Sequence, residues 1–247
     1  MQHYFIKGEE KKRLIRLKDK DTIKHMFQVM RLSTDEQFVA TLDSGDKFLA
    51  RVSDKDSFEI ELLEGYASST ELPVKVTIAM GFPKGDKLEF LAQKVTELGA
   101  SELWAYPGDW SVVKWDSKKL LKKQDKLEKI AQGAAEQSKR HMIPNIKLFN
   151  QKKDFIERFQ SFDTIILAYE ESAKVGEKSQ FHQQLIQLKK GSRVLIIFGP
   201  EGGISPAEYD IFTKENAYPC GLGPRILRTE TAPLYALSAI SYVLELS

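Results

Sequence analysis

Five consecutive apolar residues, Val194-Leu195-Ile196-Ile197-Phe198, run without a break into Gly199-Pro200-Glu201-Gly202-Gly203 and then into Ser205-Pro206-Ala207-Glu208. A strand that is apolar on both faces must be covered on both, which is the position of a strand inside a parallel sheet flanked by helices. The serine, the proline after it and the glutamate three residues on mark a helix start at Pro206. The chain thus passes from buried strand to helix through a glycine-rich turn. An α/β sheet admits ligands at such turns, because missing side chains let backbone amides come close. The turn is not G-x-G-x-x-G and lacks the lysine of G-x-x-x-x-G-K-[ST], so neither dinucleotide nor P-loop fingerprint is present. Glu201 also argues against a phosphate cradle.

The same texture extends over residues 74–247, where strand-length apolar runs alternate with helical patterns. Strands are expected at Val74–Met80, Glu102–Tyr106, Thr164–Ala168, Val194–Phe198 and Tyr218–Leu222. Helices are expected at Asp86–Leu98, Ser117–Ser138, Lys153–Phe159, Glu177–Leu188, Pro206–Glu215 and Ala232–Leu246. Residues 1–70 read differently, as a small β domain. Short strands at Tyr4–Lys7, Leu14–Leu17, Gln37–Leu42, Lys47–Val52 and Ser57–Leu63 are interrupted by one helix, Asp21–Leu32. A polar, turn-rich stretch from Glu64 to Pro73 separates the two as a linker.

With 247 residues, 42% hydrophobic and 29% charged, the composition is that of a globular chain of one or two domains and excludes long disorder. The single cysteine, Cys220, cannot form an intrachain disulfide or a cysteine metal cluster, which fits a reducing compartment. No apolar stretch is long enough for a membrane helix and the first residues do not read as a signal peptide, so a soluble, cytoplasmic protein is expected, with no metal site. The net charge of +2 hides an uneven distribution: +5 over residues 1–31, −6 over 32–70 and +6 over 112–147. Two basic regions suit two phosphate-contacting surfaces, although lysines scattered around a solvated helix give the same count.

A second turn-rich element, Gly221-Leu222-Gly223-Pro224-Arg225-Ile226-Leu227-Arg228-Thr229-Glu230-Thr231-Ala232-Pro233, follows the last short strand. It reads as a helix entry, with Thr231 as N-cap and Pro233 in the first turn. Capping does not explain two arginines flanking an apolar pair. Such an element lines a pocket with backbone and apolar groups while an arginine faces an anion or a base edge.

The two loops together, Gly199–Gly203 and Leu222–Ala232, closely resemble the C-terminal signature of the RsmE family. These are SPOUT-class methyltransferases that methylate N3 of a uridine in small-subunit (16S) ribosomal RNA. The helix His25-Met26-Phe27-Gln28-Val29-Met30-Arg31 resembles the family's His…Val-Leu-Arg helix. So do Lys84-Gly85-Asp86-Lys87, Gln93-Lys94, Glu97-Leu98-Gly99, and Glu136-Gln137 with Arg140 and Pro144 in later blocks, so the likeness covers both domains in order. Met30 stands where leucine is usual, and His3 where an arginine is expected, which puts one RNA contact in doubt.

The resemblance implies a PUA-like β-barrel followed by an α/β domain whose last segments thread into a trefoil knot, with a homodimer formed through the knot. It implies S-adenosylmethionine as cofactor, held by Leu167, Ala168, Tyr169 and Glu170, by Phe198, Gly199, Pro200, Glu201, Gly202 and Gly203, and by Leu222, Gly223, Pro224, Ile226 and Leu227. Arg228 is expected to stabilise charge developing on the uracil, and Glu201 and Glu230 to orient the base or take its proton. Ribosomal RNA, within the small subunit, is expected to contact Arg13, Arg16, Lys24, His25 and Arg31 in the β domain and Lys84, Lys87, Lys94 and Arg140 further on. Two other readings are a SPOUT methyltransferase acting on another rRNA or tRNA nucleotide, and a non-catalytic RNA-binding ribosome-assembly factor.

Overall fold

The computed structural model describes residues 1–11, 13–67, 70–169 and 180–247, with side chains of 8–11 excepted. Lys12, part of the linker, Glu170 and the start of the helix expected at Glu177–Leu188 lie outside the described residues. Cα proximity divides the chain into two units: Met1–Glu71 with Ala135–Met142, and Leu72–Ala134 with Ile143–Ser247.

The first unit holds β1 (His3–Ile6), β2 (Gly8–Lys11), β3 (Leu14–Leu17), α1 (Lys20–Lys24), β4 (Gln37–Leu42), β5 (Lys47–Asp54) and β6 (Glu59–Gly65). They form one sheet, ordered β1-β4-β5-β6-β3-β2, in which only the β1–β4 pairing is parallel. Tyr4, Ile15, Met26, Phe38, Val52 and Ile60 meet in its core. The helix expected at Asp21–Leu32 is a single α-helical turn, capped by Asp19 accepting from the Thr22 N–H, followed by a π-helical turn at His25–Val29. Strand β2 has no apolar alternation to announce it; it is a charged edge strand hydrogen-bonded to β3.

Buried polar groups explain why Ala135–Met142 belongs with this unit. Lys47 Nζ donates to the Lys139 carbonyl at 2.5 Å and Thr70 Oγ1 to the same oxygen at 3.0 Å. The Arg140 guanidinium, 1% exposed, is bound to the Glu71 carboxylate, and the His141 N–H donates to Glu71 Oε1 at 2.8 Å.

The second unit holds β7 (Lys75–Gly81), α2 (Lys87–Glu97), β8 (Glu102–Tyr106), α3 (from Ser117; it ends at Gln137), β9 (Asn145–Leu148), α4 (Lys152–Ile156), β10 (Thr164–Ala168), α5 (Gln180–Ile186), β11 (Arg193–Phe198), α6 (Pro206–Lys214), β12 (Ala217–Cys220) and α7 (Ala232–Ser241). Its six strands are all parallel, in the order β12-β10-β11-β7-β8-β9. Along β11, Val194, Ile196 and Phe198 enter one core while Leu195 and Ile197 enter the other, which is the physical reason for the unbroken apolar run. Strand β9 buries only Ile146 fully and pairs on one side, so its sequence carries little strand signal. From β7 the chain winds outward to β8 and β9, whereas β11 is followed by β12 on the opposite edge. Strands β7 and β11 are neighbours, and the crevice at their carboxyl ends is therefore a topological switch point.

Candidate active site

At that switch point the loop after β11 folds tightly on itself. A Cβ on Gly199 would lie 2.5 Å from the Gly203 carbonyl carbon, and the Gly203 N–H donates to the Pro200 carbonyl at 2.9 Å. Pro200 in turn rides over the end of β7, where a Cβ on Gly81 would lie 2.4 Å from Pro200 Cδ. Glycine is required at both places because backbone or a ring already occupies the space.

Glu201 reaches from this loop to the one after β7. Its Oε1 accepts from the Lys84 N–H at 3.0 Å and lies 3.0 Å from Lys87 Nζ, which is also 3.2 Å from Glu230 Oε2. One ammonium, at the start of α2, thus ties two carboxylates from two loops. Glu230 Oε2 is buried and has no directed hydrogen bond, so Lys87 is its charge partner but does not saturate it. Burial pushes the Glu201 carboxyl up, yet backbone N–H donation from Lys84 and Glu201 together with Lys87 outweighs it and holds the group below its ordinary value. Glu230 is lowered too, by its own backbone N–H, with Lys87 and Arg228 adding to the effect. The Lys87 ammonium is held correspondingly above its usual value, chiefly by Glu201.

Arg228 is exposed beside Glu230. Its carbonyl accepts from Thr231 N–H at 2.8 Å and Ala232 N–H at 3.0 Å. This corrects the expected cap: Thr231 stands at the N-cap position of α7, but its side chain makes no capping bond, and the Arg228 carbonyl takes the first amides instead. Just before it, among the described residues, no backbone hydrogen bond engages Leu222 through Leu227. Gly223 has φ +103°, and Ile226 is 76% exposed. A segment whose amides and carbonyls have no partner among the described residues, at the carboxyl end of the sheet, is free to hydrogen-bond a ligand. Tyr169, whose N–H donates to the Cys220 carbonyl at 3.0 Å, sets the end of β10 beside it. The side chains of Leu167 and Phe198 lie in the hydrophobic cores, so these two residues face a ligand only through backbone.

The residues expected on RNA separate into two groups. Arg13, Arg16, Lys24, His25, Arg31 and Lys84 have exposed side chains, although Arg13 also donates to the Leu63 carbonyl at 2.9 Å. The other three are already engaged: Lys87 in the glutamate pair, Lys94 with Glu97 at 2.9 Å, and Arg140 with Glu71. The sequence reading of Arg140 as a phosphate ligand is corrected here, because its fork is buried and occupied. His3, 4% exposed, donates or accepts at 2.7 Å with Thr41 Oγ1 inside the first unit.

One cluster escaped sequence reading. Ser205 and Glu208 make the capping box expected from their spacing, but Glu208 is also fully buried and accepts from the Asp109 N–H at 3.0 Å. Lys152 pairs with both Asp109 and Glu208, and Ser205 Oγ donates to Asp109 at 2.6 Å. The capping box was a signal for Glu208; nothing local marked Asp109 or Lys152.

The family model described as RNA methyltransferase domain matches residues 70–241, and the RNA methyltransferase PUA domain matches 17–63. Ribosomal RNA small subunit methyltransferase E of Bacillus subtilis is 46% identical over 92% of this chain and 89% of its own length. The chain belongs to the RsmE family of RNA methyltransferases. A crystal structure of a hypothetical protein shares the fold with a TM-score of 0.89 at 40% identity, covering 99% of both chains. A methyltransferase from Legionella pneumophila, solved with its cofactor SAM bound, matches with a TM-score of 0.82 at 26% identity over 98% of this chain and 97% of its own. In this RsmE-family chain the PUA match falls within the β unit and the RNA methyltransferase match spans the parallel sheet with all three site loops. Among the described residues, no helix is long and apolar enough to cross a membrane.

Proposed function

We propose that this chain methylates N3 of a uridine in 16S ribosomal RNA with S-adenosylmethionine as donor. The observation that carries the reading is the Leu222–Leu227 segment, its backbone groups unpaired, beside a glycine loop closed on itself and a lysine-bridged pair of glutamates. The donor fits this cradle. Leu222, Gly223, Ile226 and Leu227 offer backbone groups and apolar surface to an adenosine, and Gly199 to Gly203 with Tyr169 flank them. When bound, the cofactor supplies a methyl group on a sulfonium.

The residues of the chain have three tasks. Arg228 offers a permanently charged planar fork to the carbonyl oxygens over which the charge of a deprotonated uracil spreads. Glu201 and Glu230, held as carboxylates, are weak proton acceptors, so they orient the base and its approach while the N3 proton leaves to solvent. Lys87 fixes both carboxylates, and the positioning of the imide nitrogen supplies the remaining advantage. For the RNA strand, Arg13, Arg16, Lys24, His25 and Arg31 of the β domain proposed over residues 1–70 and Lys84 of the catalytic domain proposed over 74–247 give phosphate contacts, and binding weakens with salt. The proposal includes the knotted threading of the C-terminal segments and a homodimer through that unit, working in the cytoplasm on the small subunit. Exposed Tyr235, Tyr242 and Leu246 on and after α7 support an interface there.

Arg228→Ala tests the chemistry. Turnover should fall by about 100-fold or more, the scale of losing one transition-state donor, while calorimetry returns an unchanged cofactor affinity. Equal losses in both, or no loss, contradict the role.

A further inference from the structure

Of the three tryptophans, Trp104 and Trp115 are buried, but Trp110 is 47% exposed. Among the described residues its indole is in no ring–ring or cation–π contact and makes no hydrogen bond. An exposed aromatic on a loose loop is unremarkable, but this one is held. Trp110 is the third residue of the turn Gly108-Asp109-Trp110-Ser111, closed by Ser111 N–H donating to the Gly108 carbonyl at 3.0 Å. Its neighbour Asp109 is anchored from both ends: the N–H to buried Glu208 at 3.0 Å, and the carboxylate to Ser205 Oγ at 2.6 Å and to Lys152. The turn follows β8, so it is the next loop along from Lys84 and Lys87, on the same carboxyl end of the sheet.

The indole also leans on the glycine loop. A Cβ on Gly202 would lie 2.8 Å from Trp110 Cβ, and one on Gly203 3.9 Å from Trp110 Cζ3. A large apolar ring is thus fixed at the edge of the loop that carries Glu201. Among the described residues, Ser111 Oγ, buried next to it, has no hydrogen-bond partner. We infer that Trp110 is a stacking platform for a nucleobase of the RNA strand, next to the base that is methylated. A nucleobase suits the site because it offers a π face to the indole and polar edges to the neighbouring donors. A ring whose backbone and Cβ are already pinned loses less freedom on stacking than one on a loose loop. Exposed Lys84 and Lys114 supply cations for the adjoining phosphates. This inference rests on the RNA-methylation reading above.

The test uses full-length Trp110→Ala, Trp110→Phe and Trp110→Leu with unmodified small ribosomal subunits as substrate, each variant first checked for native circular dichroism. Stacking on a base is worth roughly 5- to 150-fold in binding. The alanine variant should therefore raise KM for the subunit about tenfold or more, with cofactor affinity unchanged by calorimetry, and phenylalanine should recover most of the loss while leucine should not. An unchanged KM for alanine overturns the proposal. Rescue by leucine equal to that by phenylalanine overturns it in favour of a general apolar contact, and a sedimentation shift in the alanine variant overturns it in favour of a contact with a second copy of the chain. If the wild-type protein itself transfers no methyl group, the RNA-methylation reading has failed; failure of the stacking role alone leaves wild-type activity intact.

Discussion

Lys87 Nζ lies 3.0 Å from Glu201 Oε1, joining the loop after β7 to the loop after β11 across the switch point of the parallel sheet. The same ammonium holds Glu230 at 3.2 Å. This single side chain neutralises part of the acidic charge of the two glutamates, which the proposed function places beside the deprotonated base.

Lys87→Met should therefore do more than lower activity. Without the ammonium, the burial that pushes Glu201 up is less opposed, so both carboxyls move up towards the ordinary range. The acid limb of the kcat/KM profile should shift to higher pH, and the rate at neutral pH should fall about tenfold or more. A profile that keeps its acid limb in place would show that these carboxylates are not the groups that must stay ionised.

Two glycines should respond in opposite directions to alanine. Gly81→Ala forces a methyl against Pro200 at 2.4 Å and should cost about 1–3 kcal/mol, a drop of roughly 3–10 °C in melting temperature, while distorting the Gly199–Gly203 loop proposed to hold the cofactor. Gly133 lies within α3, four residues before its end, with open space where a Cβ would stand, and Gly133→Ala should add about 0.5–1 kcal/mol by helix propensity alone. Calorimetric melting of both variants checks the pair.

His3 makes the stability depend on pH. Burial first, and the nearby Lys47 next, lower its imidazole from 6.5 to about 4, with His141 and Lys139 acting in the same sense and a backbone bond involving Glu136 opposing them. Between those values the unfolded chain binds a proton that the folded one does not. The contribution is fully present above pH 6.5 and is lost as pH falls towards 4. The loss reaches about 3 kcal/mol. In urea unfolding at pH 7 and pH 4.5, His3→Gln should lack this component, so its stability relative to wild type improves on acidification.

Arg140→Ala should act on stability and leave RNA affinity alone. Removing the guanidinium strands the Glu71 carboxylate, part-buried, at a cost of about 2–4 kcal/mol, whereas Arg16→Ala, on an exposed strand position, should reduce the salt dependence of RNA binding with little change in melting. The reverse pattern would return Arg140 to the RNA surface.

What the residues disclose in advance follows from where the physics is local. The run Val194–Phe198 and the Ser205–Glu208 box declare β11 and the start of α6 because apolar alternation between two cores and helix capping act within a few residues. Strands β2 and β9 do not declare themselves, since an edge strand needs little apolar surface: β2 is charged and takes its hydrogen bonds from the adjoining β3, and β9 takes its own from the distant β8. The same holds at the site. Glycines and glutamates are visible in the loops, but Lys87 and Arg140 read as cations for RNA until the fold carries Glu201 and Glu230 to the one and Glu71 to the other.

The most direct measurement is transfer of labelled methyl from S-adenosylmethionine to small ribosomal subunits that lack the modification, followed by digestion and nucleoside chromatography. Label co-eluting with 3-methyluridine is the expected result. Label in any other nucleoside, or none in the presence of demonstrable cofactor binding, would contradict uridine-N3 methylation by this chain.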